Sequence, residues 1–225
     1  MNILAFDTAD EVLSLALECK SGFYFLEIDK PGSHLELLME CTDTLCKKAG
    51  ILAEEINKIV CMKGPGSFTG LRIGYSAAKG LSLALGIPLI SIPTLDCLAY
   101  HLSFWQGLVI SAIDAKKGCF FTAIYLNGET ISGQFDIPPE IIADKIDKIP
   151  NFSNLPLIIT GWGAKLLKTK LETILTNRTI ILDPQYRNGR ARELILLAKD
   201  DKLIKNDINS GPVYIRKSDA ELKFG

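Results

Sequence analysis

The sequence has few of the residues that build metal and disulfide sites. It contains only two histidines, His34 and His101, and neither has another histidine four residues later, so no H-E-x-x-H zinc motif can form. Its six cysteines include no C-x-x-C pair, and several lie inside apolar runs, which is typical of reduced, buried thiols. The sequence therefore disfavours a zinc hydrolase and a disulfide-stabilised secreted protein.

Long apolar runs and an excess of charge of either sign are also missing. The most apolar stretch, residues 81–92, is interrupted by Gly86 and Pro88 and is shorter than the ~20 residues of a membrane-spanning helix. The N-terminus, MNILAFDTAD, has no cationic region, so we expect no signal peptide and a cytoplasmic location. With 25 basic and 26 acidic residues among 225, any RNA contact needs a local patch or a partner's surface.

The sequence shows a pattern of strands and helices that begins at residue 2 and begins again at residue 108. The first series consists of three strand-like segments, a helix, a strand and a second helix, at residues 2–7, 12–19, 22–28, 33–49, 58–62 and 69–85. Ser33 and Glu36 have the spacing of a capping box at the start of the first helix.

The second series begins at residue 108 and resembles the first. Segments 108–115, 119–126 and 129–137 match 2–9, 12–19 and 22–28 in that order, and both series open on a strand that ends in aspartate. The repeat predicts an internal duplication into an N-terminal lobe, residues 1–105, and a C-terminal lobe, residues 106–225. The last helix could pack back on the first lobe.

The sharpest motif is GPGSFTGLRIG, residues 64–74, between a predicted strand and a predicted helix. Its glycines could bring backbone amides up to an anion. The motif fits neither G-x-G-x-x-G, because Thr69 takes the place of the third glycine, nor Walker A, because no Gly-Lys-Ser/Thr follows. A tight turn whose glycines allow close packing is the alternative interpretation.

The helix after this loop has small residues at every fourth position: Gly70, Gly74, Ala78 and Ser82. Such a face permits close helix–helix approach. It is typical either of buried packing within the chain or of a subunit interface. Phe68, Arg72 and Tyr75 lie near this face, and residues of these types are enriched at interfaces.

The sequence contains a few residues that could bind a nucleotide, and each also has a purely structural interpretation. Asp7 and Asp114 each follow a strand, where a carboxylate could hold water or magnesium near a phosphate, or cap a turn. Gly161 and Gly163 belong to a loop, GWGA, that could lie beside an adenosine or form a tight turn before a helix. The basic residues that could touch phosphate, or form a solvated helix start, are Arg187, Arg190 and Arg192.

The order of these motifs resembles the bacterial TsaB (YeaZ) family, the small partner in making threonylcarbamoyladenosine on tRNA. The matching segments are ILAFDTA, Ser33-His34, the block from Lys63 to Ala99, AIDAKKG and the terminal PVYIRK. The resemblance is weak between residues 129 and 185. It implies the duplicated two-lobe α/β fold of actin, hexokinase and Hsp70 (ASKHA), with mixed sheets flanked by helices.

The resemblance also implies a catalytically inactive partner of TsaD, the paralogue that carries the transferase chemistry. ATP and magnesium are then needed by the complex, and no cofactor or metal is assigned to this chain. The expected partners are TsaD in a heterodimer, TsaE at the heterodimer seam, a second copy when the chain is alone, and tRNA only indirectly. Position 37 of ANN-decoding tRNAs is the expected target.

The implied contact with TsaD lies on the helices that follow Ser33 and the GPGSFTG loop. Its expected residues are Phe68, Thr69, Gly70, Leu71, Arg72, Gly74, Tyr75, Ala78 and Leu38. A bulky residue at Gly74 should then block pairing and leave the isolated fold nearly intact. Two alternatives stay open: a small ATP-dependent phosphotransferase of the actin/hexokinase type using Asp7 or Asp114, and an M22-type glycoprotease, which no residue supports.

Overall fold

The computed structural model describes residues 1–149, 155–199 and 206–216. The chain divides into two compact units: Met1–Cys97 together with Asn188–Val213, and Leu98–Arg187 together with the residues from Tyr214 onward. Within the described part of the chain, no helix is long and apolar enough to cross a membrane.

The strands are β1 (Ile3–Asp7), β2 (Val12–Cys19), β3 (Gly22–Asp29), β4 (Lys58–Gly64), β5 (Leu89–Pro93), β6 (Leu108–Asp114), β7 (Phe120–Leu126), β8 (Glu129–Thr130), β9 (Phe135–Ile137), β10 (Leu157–Thr160) and β11 (Ile180–Leu182). The α-helices are α1 (His34–Ala49), α2 (Phe68–Leu85), α3 (Thr94–Tyr100), α4 (Pro139–Asp147), α5 (Ala164–Ile174) and α6 (Ala191–Leu197). A short 3-10 helix covers Ala53–Glu55.

The first unit is built on a five-stranded sheet in the order β3-β2-β1-β4-β5. Strands β1, β2 and β3 are antiparallel, whereas β4 and β5 run parallel to β1. Because successive side chains of a strand point to opposite faces, Leu4 and Phe6 join the core with α1 and α2, while Asp7 faces the start of α6. All six cysteines are free thiols and five are buried, as predicted.

The second unit repeats this order as β8-β7-β6-β10-β11. Again the first hairpin, β6 with β7, is antiparallel, and β10 and β11 continue parallel to β6. The repeated topology confirms the two-lobe α/β fold class. The bounds of the two units differ from the predicted lobes 1–105 and 106–225, because residues 98–105 belong to the second unit and residues 188–213, which include α6, belong to the first.

The predicted single strand over residues 129–137 is wrong, because this segment forms two short strands. Both β8 and β9 pair with β7, and the residues between them leave the ladder. The hydroxyl of Ser132 accepts the hydrogen bond of Ile124 N at 2.9 Å, so a side chain takes the place of a backbone partner there. Asn127 and Gly128 form the preceding turn, both with positive φ as a two-residue hairpin requires.

The predicted capping box at Ser33 is also wrong. The Ser33 hydroxyl donates to the carbonyl of Lys30 at 2.7 Å instead of capping α1. His34, the first residue of α1, is 5% exposed, and burial lowers its pKa. A side-chain cap does form on α2, where Ser67 Oγ accepts from Gly70 N at 3.2 Å.

Candidate functional site

The GPGSFTG loop is docked on the turn between β1 and β2. Ser67 N donates to the carbonyl of Ala9 at 2.8 Å, and Thr8 Oγ1 donates to the carbonyl of Gly70 at 2.7 Å. A Cβ added to Gly66 would lie 2.7 Å from the Ala9 oxygen, closer than real Cβ atoms approach. The glycines therefore serve backbone-to-backbone packing, which is the tight-turn interpretation of the motif.

The small-residue face of α2 packs against the same turn. A Cβ on Gly70 would overlap the carbonyl oxygen of Thr8, and a Cβ on Gly74 would overlap the Thr8 hydroxyl. Ala78 and Ser82 on this face are buried too. The subunit-interface interpretation of this face is therefore wrong, and so is the expectation that a bulky residue at Gly74 spares the isolated fold.

The predicted contact residues separate into inward and outward groups. Thr69 and Arg72 are exposed and Phe68 is half-buried, with the Arg72 guanidinium 5.9 Å from the centre of the Phe68 ring. The remaining residues are buried within the first unit: Leu38, Gly70, Leu71, Gly74, Tyr75 and Ala78. They cannot meet a partner directly while the fold is intact.

The outward sides of α1 and α2 carry other residues that suit a contact. Leu35 and Met39 on α1 are 73% and 48% exposed, and Leu83 on α2 is 72% exposed. Gly80 is also exposed, and nothing lies within 4 Å of a Cβ placed on it. We use the name helix-pair surface for these four exposed residues, which lie on two helices that contact each other. Leu35 and Met39 are near the start of α1, and Gly80 and Leu83 are towards the end of α2. The sequence gives one indication of this surface. Leu35 and Met39 are apolar and four residues apart, but they do not belong to the row of residues that α1 buries.

Asp7 is fully buried, and both of its carboxylate oxygens have partners in the first unit. Oδ2 accepts from Arg190 N at 2.8 Å and Oδ1 accepts from Ala9 N at 3.1 Å. Burial raises the pKa of Asp7 to about 6 despite these hydrogen bonds. The carboxylate joins the β1–β2 turn to the start of α6, which is the turn-capping role that the sequence allowed for it.

The other residues of the expected nucleotide site lie in the second unit. Asp114 accepts from Lys116 N at 2.8 Å and Lys116 Nζ at 3.0 Å, so it too caps its own turn. Cβ atoms on Gly161 and Gly163 would lie 2.6 Å from Ala112 O and Asp114 N, respectively. The structure thus brings Gly163 and Asp114 together, in a tight turn against the end of β6.

The three arginines do not form one exposed basic cluster. Arg190 is 1% exposed and lies among the buried groups of the first unit. Arg192 is exposed, with its guanidinium 5.1 Å from the centre of the Phe23 ring. Among the described residues, no group of three or more His, Cys, Asp or Glu side chains could hold a metal ion.

Comparison with known proteins identifies relatives along most of the chain. Residues 31–224 match the protein family described as "TsaD: tRNA N6-adenosine threonylcarbamoyltransferase". The chain is 29% identical over 230 residues to the tRNA threonylcarbamoyladenosine biosynthesis protein TsaB of Bacillus subtilis (strain 168), covering 100% of this chain and 98% of that protein. It is 31% identical over 172 residues to TsaB of Escherichia coli (strain K12), 73% of each chain.

One solved structure is similar to this chain over nearly its whole length. YeaZ from Pseudomonas aeruginosa superposes with a TM-score of 0.77 at 25% sequence identity, covering 95% of this chain and 99% of that one.

Proposed function

The chain belongs to the TsaB (YeaZ) family, and on that premise we propose that it is a non-catalytic subunit for tRNA threonylcarbamoyladenosine biosynthesis. It pairs with the transferase TsaD through the helix-pair surface and stabilises the productive form of TsaD. The product of the complex is N6-threonylcarbamoyladenosine at position 37 of ANN-decoding tRNAs. The chain works in the cytoplasm.

The helix-pair surface is the observation that carries this proposal. Leu35 and Leu83 are each more than 70% exposed on helices whose opposite sides form the core of the first unit. Leucines exposed on neighbouring helices favour association, because a partner helix removes their apolar surface from water. Gly80 has no side chain, so a partner helix can approach α2 closely there.

A non-catalytic role is supported by how the candidate catalytic carboxylates are used. Asp7 and Asp114 each accept hydrogen bonds from groups within their own unit. ATP and magnesium are then required by the complex, with TsaE binding at the heterodimer seam and tRNA reaching this chain only through the complex. The same surface pairs two copies when TsaD is absent.

Light scattering after size exclusion, on the chain alone and mixed with TsaD from the same organism, tests the proposal. The expected result is a heterodimer mass that replaces any homodimer. Leu83→Glu should weaken pairing roughly 100-fold or more, because an unpaired carboxylate buried in a contact costs several kcal/mol. Leu166→Glu is the matched control, since Leu166 is 46% exposed on α5 of the second unit and outside the surface.

Circular dichroism should show that both variants are folded, because both leucines are exposed. If folded Leu83→Glu bound TsaD with wild-type affinity, the helix-pair surface would not be the contact with TsaD. Failure of wild-type chain and folded TsaD to associate at all would contradict the scaffold role.

A further inference from the structure

The C-terminal segment of residues 206–213, which we call the strap, lies along one edge of the first sheet. Among the described residues, β5 is the last strand of that sheet, and its one strand neighbour is β4. Asp207 N donates to the carbonyl of Leu89 at 2.8 Å, on the side of β5 that faces away from β4. An edge strand needs partners on that side, because unpaired backbone groups attract the edges of other chains.

Two side chains of the strap bind the outward amides of β5. Leu89 N donates to Asn206 Oδ1 at 3.4 Å, and Ser91 N donates to Asp207 Oδ2 at 3.1 Å. The next outward position is Pro93, which has no N–H group. The strap therefore occupies both amides that β5 could offer to another strand, and it does so with side-chain oxygens in place of a backbone ladder.

Asp207 is the anchor of the strap. Its carboxylate also accepts from Ser91 Oγ at 2.5 Å and lies 3.7 Å from Lys63 Nζ, and its side chain is only 13% exposed. Its carbonyl accepts from Tyr75 Oη of α2 at 3.3 Å. At the far end of the strap, Val213 N donates to the carbonyl of Lys63 at 2.7 Å.

The strand beneath the strap is well suited to pairing with another strand. The segment Leu89–Pro93 has the sequence LISIP, with no charged residue, and Leu89, Ile90 and Ile92 are at most 1% exposed. Charges, bulges and prolines are the usual means of blocking edge-to-edge pairing, and β5 carries no charge and has a proline only at its end, Pro93. Protection of the Leu89 and Ser91 amides depends instead on the strap.

We propose that the outer edge of β5 is an acceptor site for an extended strand, which the strap occupies within the same chain. Release of Asn206 and Asp207 opens the site to β5 of a second copy, which pairs with it edge to edge. The proposal is independent of the pairing with TsaD, because the helix-pair surface and the β5 edge share no residue.

The full-length double variant Asn206→Ala/Asp207→Ala tests this, in a Leu83→Glu background that removes association through the helix-pair surface. Hydrogen exchange at the Leu89 and Ser91 amides should become roughly tenfold faster or more, because both lose their acceptors. Sedimentation should show self-association that increases with concentration. Ser210→Ala is the control and should change neither measurement, because Ser210 Oγ bonds to Asp207 Oδ1 at 3.3 Å, whereas Ser91 N bonds to Asp207 Oδ2.

Adding Ser91→Pro to the double variant should suppress the self-association, because it removes the outward N–H without disturbing the bonds to β4. The single variant Asn206→Ala keeps the Asp207 anchor and should accelerate exchange at Leu89 while Ser91 stays protected. Unchanged exchange at both amides in the double variant would overturn the acceptor site. So would self-association that persists with Ser91→Pro.

Discussion

Asp7 stays in the core because each of its oxygens has a backbone donor. The amides of Ala9 and Arg190 supply those donors, yet the loss of water around the carboxylate still raises its pKa to about 6. In Asp183 of the second unit, hydrogen bonding outweighs burial, so its pKa is lowered and not raised. Burial alone would raise its pKa, but hydrogen bonds from His101, Thr160 and Gln185 N hold it at about 2. The fold thus contains two aspartates whose ionisation affects stability in opposite directions.

Asp7 should make the protein less stable as the pH rises from 4 to 7. Its folded pKa lies above the unfolded value of 3.8, so its contribution to stability is complete below pH 3.8 and is lost as the pH passes about 6. The full loss corresponds to roughly 3 kcal/mol. Urea unfolding of wild type and Asp7→Asn at several pH values should show the wild-type free energy of unfolding falling relative to the variant. Parallel pH profiles would contradict the raised pKa.

At the scale of elements, the predictable features are those set by local pattern. The apolar runs of β1, β2, β6 and β7 identify their strands, and aspartate at the end of β1 and β6 marks the duplication. At the break between β8 and β9 the Ser132 hydroxyl accepts from Ile124 N, a contact that no periodicity encodes.

The orientation of α2 was equally hidden from the sequence. Small residues at every fourth position fit a subunit contact and internal packing equally well, and only the position of Thr8 decides between them. For the same reason, the expected contact residues included buried ones such as Leu71 and Tyr75. The exposed leucines were overlooked because single exposed apolar residues are common on protein surfaces.

The two sides of α2 should respond oppositely to the same substitution. Gly74→Ala should lower the free energy of unfolding by about 1–3 kcal/mol, because the new methyl group overlaps the Thr8 hydroxyl. Gly80→Ala should raise it by about 0.5–1 kcal/mol, because Gly80 is helical and exposed with open space around its Cα. Urea titration of both variants measures this. A smaller loss for Gly74→Ala in a Thr8→Ala background would assign the cost to that contact, and equal effects of the two substitutions would contradict it.

At the scale of the molecule, both units keep the hairpin that opens the duplicated fold and use its aspartate in the same way. Asp7 binds Ala9 N and Asp114 binds Lys116 N, each two residues further along. This shared Asx turn stabilises the chain reversal between the first two strands of each sheet. The hairpin aspartates thus have an architectural role in both halves of the chain.

Asp114→Ala should therefore leave tRNA modification by the reconstituted complex within about twofold of wild type, since its carboxylate binds only its own turn in the described structure. Leu83→Glu should lose activity in proportion to its loss of pairing, and excess variant should partly restore it by mass action. Both variants are compared at fixed TsaD, ATP and tRNA, with threonylcarbamoyladenosine quantified in the tRNA and pairing measured on the same samples. A loss of about 100-fold in Asp114→Ala with pairing intact would instead identify a nucleotide-dependent step on this chain and favour the phosphotransferase alternative.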